Sequence, residues 1–163
     1  MEDVFIGLGS NMGDRLDNLA KAERGLAEFV VITGRSKIYE TTPQYVADQP
    51  KFLNSVLRGT PQLDPRPLLE ALQQLEIKLG RRPGLRNGPR LVDLDILYFG
   101  DRCVETTDLT LPHPRIHERY FVLRPLVDIE PARRHPVSGK TMRQLLDELP
   151  LGSDRGAVPV SMS

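Results

Sequence analysis

Apolar positions along this chain follow two periods in turn. Val4-Phe5-Ile6 is a short continuous run closed by Gly7-Leu8-Gly9-Ser10-Asn11, which predicts a buried strand. Leu16, Leu19, Ala20, Leu26, Ala27 and Val30 then recur at helical spacing and predict a helix from about Asp14 to Phe29. Asp14 and Asp17 lie near its start, where carboxylates suit the positive end of the dipole. Val30 to Tyr39 predicts a second strand, and Glu40 to Lys51 a loop broken by Pro43 and Pro50. Phe52 to Leu57 predicts a third strand, with Phe52, Asn54 and Val56 on one face and Leu53, Ser55 and Leu57 on the other. Asp64-Pro65 opens a second helix whose stripe of Leu68, Leu72, Leu75 and Leu79 ends at Gly80. Leu91 to Phe99 predicts a fourth strand.

The order β-α-β-β-α-β is that of a ferredoxin-like α+β sandwich. Beyond it the pattern loosens. Leu109 to Pro114 is a Pro-broken extended piece, and Phe121 to Ile129 is an apolar segment expected to pack on the domain. Thr141-Met142-Arg143-Gln144 is a capping box opening a helix that bears Leu145, Leu146 and Leu149. Pro150 to Ser163 has few large apolar residues. The expectation is one domain over 1–150, carrying additional C-terminal elements, and a flexible tail over 151–163.

Composition narrows the class. At 163 residues, 39% hydrophobic and 27% charged, the chain suits one globular domain. Lys plus Arg and Asp plus Glu are both 22, which argues against a general nucleic-acid or membrane-surface binder. Cys103 is the only cysteine, so no internal disulfide forms, and no run is long enough to span a bilayer. The acidic start Met1-Glu2-Asp3 is unlike a signal or transit peptide. A cytoplasmic location is expected.

Four features carry candidate chemistry. Asp93-Leu94-Asp95 places two carboxylates on one strand face, roughly 6–7 Å apart. Such a pair is costly to bury without a cation, and it suits Mg²⁺ held with phosphate oxygens; a solvated face or a salt bridge to an arginine is the alternative. Gly80 to Arg90, directly before it, holds Arg81, Arg82, Arg86 and Arg90 and no acid. Arginine forks bind phosphate bidentately, and Gly84 and Gly88 leave the loop free to close. The alternative for the loop taken alone is a solvated charge run, but together the two features supply both halves of a triphosphate–metal site and favour phosphate binding. His113, fixed between Pro112 and Pro114 ahead of Arg115 and Arg119, could meet a phosphate or could be a turn residue. His117 and His135 read as surface residues. Phe52 and Asn54 share a face and could bind a flat heterocycle, or Phe52 could be plain core.

These motifs in this order resemble the 6-hydroxymethyl-7,8-dihydropterin pyrophosphokinase family. The resemblance runs from Val4 to about Leu149. It rests on Gly9-Ser10-Asn11, Asp48-Gln49-Pro50, Phe52-Leu53-Asn54, Glu76, Gly80-Arg81, Gly88-Pro89-Arg90, Asp93-Leu94-Asp95-Ile96, Leu111-Pro112-His113-Pro114 and Arg119-Tyr120-Phe121-Val122-Leu123. It implies the same fold and a folate-biosynthetic transferase that converts ATP and the pterin alcohol into AMP and the pterin diphosphate. Asp93 and Asp95 would hold two Mg²⁺ ions and, with Arg81 and Arg90, form the catalytic set. Phe52 and Phe121 would sandwich the pterin, in a pocket lined by Thr41, Thr42, Pro43, Gln44 and Asn54. Gln73 and Glu76 would face the nucleotide. Arg81, Arg90, His113 and Arg119 would contact phosphates, and Ile96 and Thr110 the adenosine. A single activity and a monomer are expected.

The chain departs from the family in three places. Asn87 stands where some members have an aromatic that closes over the pterin. The arginine loop is slightly shorter, so Arg82 and Arg86 have no one-to-one match. Pro114 stands where some have tyrosine. Two rivals are a nicotinamide-dependent reductase, from the glycines of Gly7-Leu8-Gly9-Ser10-Asn11-Met12-Gly13, and a ferredoxin-like binding module. The first lacks repeated βαβ order, and neither uses the carboxylate pair.

Overall fold

The structure is a computed structural model and describes residues 2–42, 50–80, 91–154 and 156–160. The first strand, β1 (Val4–Ser10), is longer than its apolar run, because Gly7, Leu8 and Gly9 pair on both sides with neighbouring strands. Helix α1 (Arg15–Leu26) follows, and the Asp14 carboxylate caps it by accepting from the Asp17 N–H at 3.1 Å. It stops three residues short of Phe29, and Ala22 rather than the exposed Ala27 completes its buried stripe.

The expected second strand is two strands, β2 (Val30–Arg35) and β3 (Ile38–Thr41), broken at Ser36 and Lys37. The Ser36 side chain accepts the Val56 N–H at 2.9 Å, a bond that local periodicity does not reveal. Both strands pair antiparallel with β4 (Phe52–Pro61), β2 along its C-terminal half and β3 along its start. Helix α2 (Pro65–Lys78) has Asp64 at its N-cap with no side-chain capping bond, so the Pro65 ring and the Asp64 carbonyl set its start. It ends at Gly80, whose φ of 107° only glycine adopts without strain. Strand β5 (Asp93–Phe99) runs antiparallel to β1.

The main sheet has the order β5-β1-β4-β3-β8, with β2 also on β4. With β2 and β3 taken as one bent strand, the order is that of the ferredoxin-like sandwich. Helices α1 and α2 cover one face. Leu19, Leu26, Leu68 and Leu72 pack there on Val4, Ile6, Leu8, Leu53, Leu57, Leu94 and Ile96.

The other face is covered by elements the pattern left vague. The segment from Phe121 to Ile129 is a helix, α3 (Tyr120–Ile129), which tolerates Pro125. Helix α4 (Met142–Asp147) opens on the expected capping box, complete in both directions. Val122, Leu123, Leu126, Met142 and Leu145 bury Phe5, Val56, Leu97 and Tyr98. One extra residue in β5, at Leu97, lets Leu97 and Tyr98 join this second core while Ile96 and Phe99 stay in the first. A small ribbon of β6 (Val104–Glu105) and β7 (Thr110–Leu111) lies beside β5; only the second of these was expected as extended.

Past Leu149, where thin apolar content suggested only a tail, β8 (Val158–Val160) pairs with β3. Backbone pairing at a sheet edge needs no large side chains. His135, read as a surface residue, is half-buried edge-on to Tyr98 at 6.0 Å. No helix among the described residues is long and apolar enough to cross a membrane.

Candidate active site

The end of β1 is the centre of the site. Gly9 is the register partner of Asn54 in β4 and of Asp93 in β5, and Gly7 partners Asp95. A Cβ on Gly9 would stand 3.0 Å from the Asn54 Oδ1 and 3.5 Å from the Phe52 Cδ1. The glycine thus lets the Phe52 and Asn54 side chains pack over the β1 backbone, and its role is close approach, not a dinucleotide turn. Beyond it the chain is tied down by polar side chains, of which Asn11 is buried and Asn18 and Arg15 are part-exposed. The Asn11 amide donates to the Pro50 carbonyl at 3.2 Å, and the Asn18 amide to the Met12 carbonyl at 2.8 Å. Arg15 donates to the Lys51 carbonyl at 2.9 Å and pairs with Glu40 at 2.8 Å.

Asn54 is buried and donates to the Thr41 hydroxyl at 2.7 Å, which leaves its Oδ1 facing Gly9. Thr41 and Phe52 are direct register partners. Phe121 lies at the first turn of α3, part-buried against the second core, with the Arg119 guanidinium 5.4 Å from its ring centroid. A cavity of about 370 Å³ opens between Thr41, Thr42, Tyr120 and Phe121 on one side and Pro150 to Asp154 on the other. Thr41, Phe52, Asn54 and Phe121 therefore gather at one end of the sheet. Pro43 and Gln44 lie outside the described residues.

Sequence reading missed what holds α3 there. The Tyr39 hydroxyl donates to Asp128 at 2.7 Å, Arg124 donates to the Tyr39 oxygen at 3.2 Å, and Arg124 pairs with Asp128 at 3.0 Å. Desolvation, then the Asp128 carboxylate, pushes the Tyr39 phenol up, so it stays a donor at neutral pH. Arg124 and Asp128 are one helical turn apart, but Tyr39 lies 85 or more positions from both, and no local signal links it to them.

Asp93 and Asp95 are part-exposed, while Leu94 and Ile96 between and beyond them are buried in the first core. The shared face expected of the pair is thus present. Among the described residues no group of three His, Cys, Asp or Glu side chains forms a metal cage. Two carboxylates alone are the donor set Mg²⁺ uses when substrate phosphates complete its shell, so the residues fit that ion.

Of the residues expected on the nucleotide side, Gln73 is exposed on α2, Thr110 is part-exposed in β7, and Ile96 is buried. Glu76 is buried, and its Oε2 accepts the Leu94 N–H at 2.8 Å. His113 is held by its own N–H, which donates to the Leu97 carbonyl at 2.9 Å. Burial, then Arg119 and Arg115, push the imidazole down to about 4. Its Nδ1 accepts the Arg115 N–H at 3.2 Å, so the neutral ring carries its proton on Nε2 and offers one donor. Arg81, Arg82, Arg86, Asn87 and Arg90 lie outside the described residues.

Comparison with known proteins gives the family and the fold. Residues 5–131 match the family model for 7,8-dihydro-6-hydroxymethylpterin-pyrophosphokinase. The chain is 38% identical over 148 residues to the 2-amino-4-hydroxy-6-hydroxymethyldihydropteridine pyrophosphokinase of Aquifex aeolicus, covering 91% of this chain and 92% of that protein. It is 49% identical over 129 residues to the mitochondrial folate synthesis bifunctional protein of Pisum sativum, covering 78% of this chain but only 25% of that longer protein. The solved Plasmodium falciparum HPPK-DHPS with pteroate shares the fold, with a TM-score of 0.73 at 16% identity over 90% of this chain and 44% of that one. The carboxylate pair, the packed glycine and the aromatic pocket all lie within the matched span, and this chain belongs to the 7,8-dihydro-6-hydroxymethylpterin-pyrophosphokinase family.

Proposed function

We propose that this chain transfers the pyrophosphoryl group of ATP to 6-hydroxymethyl-7,8-dihydropterin in folate biosynthesis, giving AMP and the pterin diphosphate. The observation that carries this reading is the row Asn54, Gly9, Asp93 across three adjacent strands. Adjacent strands lie about 4.8 Å apart, so a heterocycle pocket and a carboxylate pair stand about 10 Å apart on one sheet. That span suits a flat alcohol on one side and a triphosphate on the other.

In this proposal Phe52 and Phe121 stack the pterin ring, while Thr41, Thr42, Pro43, Gln44 and Asn54 border it. Asp93 and Asp95 hold two Mg²⁺ ions, which when bound neutralise phosphate charge and polarise the β-phosphoryl group. The pterin hydroxyl oxygen bonds to the β-phosphorus, the bond from that phosphorus to the α,β-bridging oxygen breaks, AMP leaves with the bridging oxygen, and the hydroxyl proton passes to solvent. His113 donates from Nε2 to a phosphate oxygen without adding charge. Arg81, Arg90 and Arg119 meet the phosphates, Gln73 lies towards the nucleotide, and Ile96 and Thr110 border the adenosine. A monomer is the working unit in this proposal. The lone, exposed Cys103 accords with a cytoplasmic setting.

Product analysis with ATP, Mg²⁺ and the pterin alcohol tests the proposal. AMP and pterin diphosphate in equal amounts are expected. ADP, or nucleotide turnover indifferent to the pterin, would overturn it.

A further inference from the structure

Among the described residues, Glu76 is the only buried acidic or basic side chain, at 4% exposure. It rises from α2 beside Leu72 and Leu75, both core residues, and its carboxylate accepts the N–H of Leu94 at 2.8 Å. Leu94 is the middle residue of the Asp93-Leu94-Asp95 segment. Strand β5 is the edge of the sheet, paired with β1 on one side. In an antiparallel ladder successive N–H groups point alternately to the partner strand and away from it. The Leu94 N–H, taken by Glu76, points away. Without Glu76 it would lose the acceptor it has among the described residues, at a buried position where backbone donors need one.

The geometry has a consequence for the neighbours. The Leu94 nitrogen belongs to the peptide plane joining Asp93 to Leu94. Holding that nitrogen fixes the plane, and with it the backbone torsions that set the directions of the Asp93 and Asp95 side chains. We infer that Glu76 is a positioning residue, which holds the carboxylate pair in register by anchoring the Leu94 N–H from beneath the sheet edge. This rests on the pyrophosphokinase reading of the pair as the cation site. It differs from the direct nucleotide contact that the family resemblance implies for Glu76, because the atom it acts on is the strand backbone.

Three proteins separate these roles: wild type, Glu76→Gln and Glu76→Leu. The glutamine keeps an oxygen acceptor and loses the charge. The leucine keeps apolar volume and loses the acceptor, with Glu76→Met in reserve should it fail to fold. Exchange of the Leu94 amide is read by ¹⁵N NMR. Binding of Mn²⁺ is read by electron paramagnetic resonance with a non-hydrolysable ATP analogue, and binding of the analogue alone by calorimetry.

In Glu76→Leu, Leu94 exchange and the Mn²⁺ dissociation constant should each rise about tenfold or more, as loss of a buried backbone bond implies. In Glu76→Gln both should stay within about threefold of wild type, because the acceptor remains. Metal-free binding of the analogue should be the same in all three. The inference is overturned if Glu76→Leu exchanges and binds Mn²⁺ like wild type, if Glu76→Gln fails as Glu76→Leu does, or if metal-free nucleotide affinity falls with the acceptor. Should the wild type bind no Mn²⁺ beside the analogue, the cation reading of the pair fails. The Leu94 exchange contrast then still decides whether Glu76 holds the strand.

Discussion

Asn54 and Asp93 stand in one row across the sheet, on strands that do not touch each other, because each is the register partner of Gly9. The residue between them has no side chain to stand between theirs. Gly9→Ala should therefore act on the site more than on the fold. Its Cβ would press on the Asn54 Oδ1 at 3.0 Å, and the amide would have to leave its bond to Thr41 or push Phe52 aside. Overpacking of this kind costs about 1–3 kcal/mol, and we expect most of it to appear as weaker pterin binding. Pterin titration and a thermal melt of the variant measure the two shares. Unchanged pterin affinity would place the pocket elsewhere.

Asp93→Asn and Asp95→Asn should each lower turnover by about 10² or more, the usual effect of removing a preorganised electrostatic element. Both side chains are part-exposed, so the melting temperature should hardly move. Pterin binding without nucleotide should be unaffected. A variant with near-normal rates at saturating Mg²⁺ would remove that carboxylate from the cation site.

Phe121→Ala has two effects that can be separated. The ring packs on the second core, so some thermal stability is lost. If it also stacks the pterin, affinity for the pterin falls by about 0.5–1.5 kcal/mol beyond the buried area, while ATP affinity holds. Tyr39→Phe is the control for placement. It removes the hydroxyl shared with Arg124 and Asp128, and loosening α3 should weaken pterin binding with the ring of Phe121 intact. Titration of both ligands against both variants decides whether Phe121 is a contact or only core.

His113 predicts a pH dependence of stability. Its pKa is about 4 in the folded chain, against an ordinary value of 6.5. Above pH 6.5 neither folded nor unfolded chain is protonated there. As pH falls from 6.5 towards 4, the unfolded chain takes up a proton that the folded chain refuses, and stability is lost, by an upper bound of about 3 kcal/mol. His113→Gln should flatten this part of the stability profile. NMR of the His113 ring should show it neutral at pH 5.5; a charged ring there would contradict both its burial and its role as a neutral donor.

Much of this molecule was legible along the chain, because the signals were local. The stripe of Leu68, Leu72 and Leu75 marked α2, the Thr141 and Gln144 pair marked the start of α4, and the i, i+2 spacing of Asp93 and Asp95 put two carboxylates on one face whatever lay around them. The motifs also sufficed to name the family, since their order along the chain is itself a local record. The ferredoxin-like order of elements also anticipated which strands lie side by side; what the sequence could not decide was the register between them, and what covers the second face of the sheet. Both faces of the one sheet must be covered, by α1 and α2 on one side and by α3 and α4 on the other, and in the register this packing takes Gly9 joins Asn54 to Asp93. The break at Ser36 and Lys37, the helix at Phe121, the pairing of Val158 to Val160 and the bond from Leu94 to Glu76 follow from the same requirement. Each depends on a partner distant in sequence that supplies a hydrogen bond or an apolar surface, and its identity is set by packing of the whole domain, not by the residues beside it.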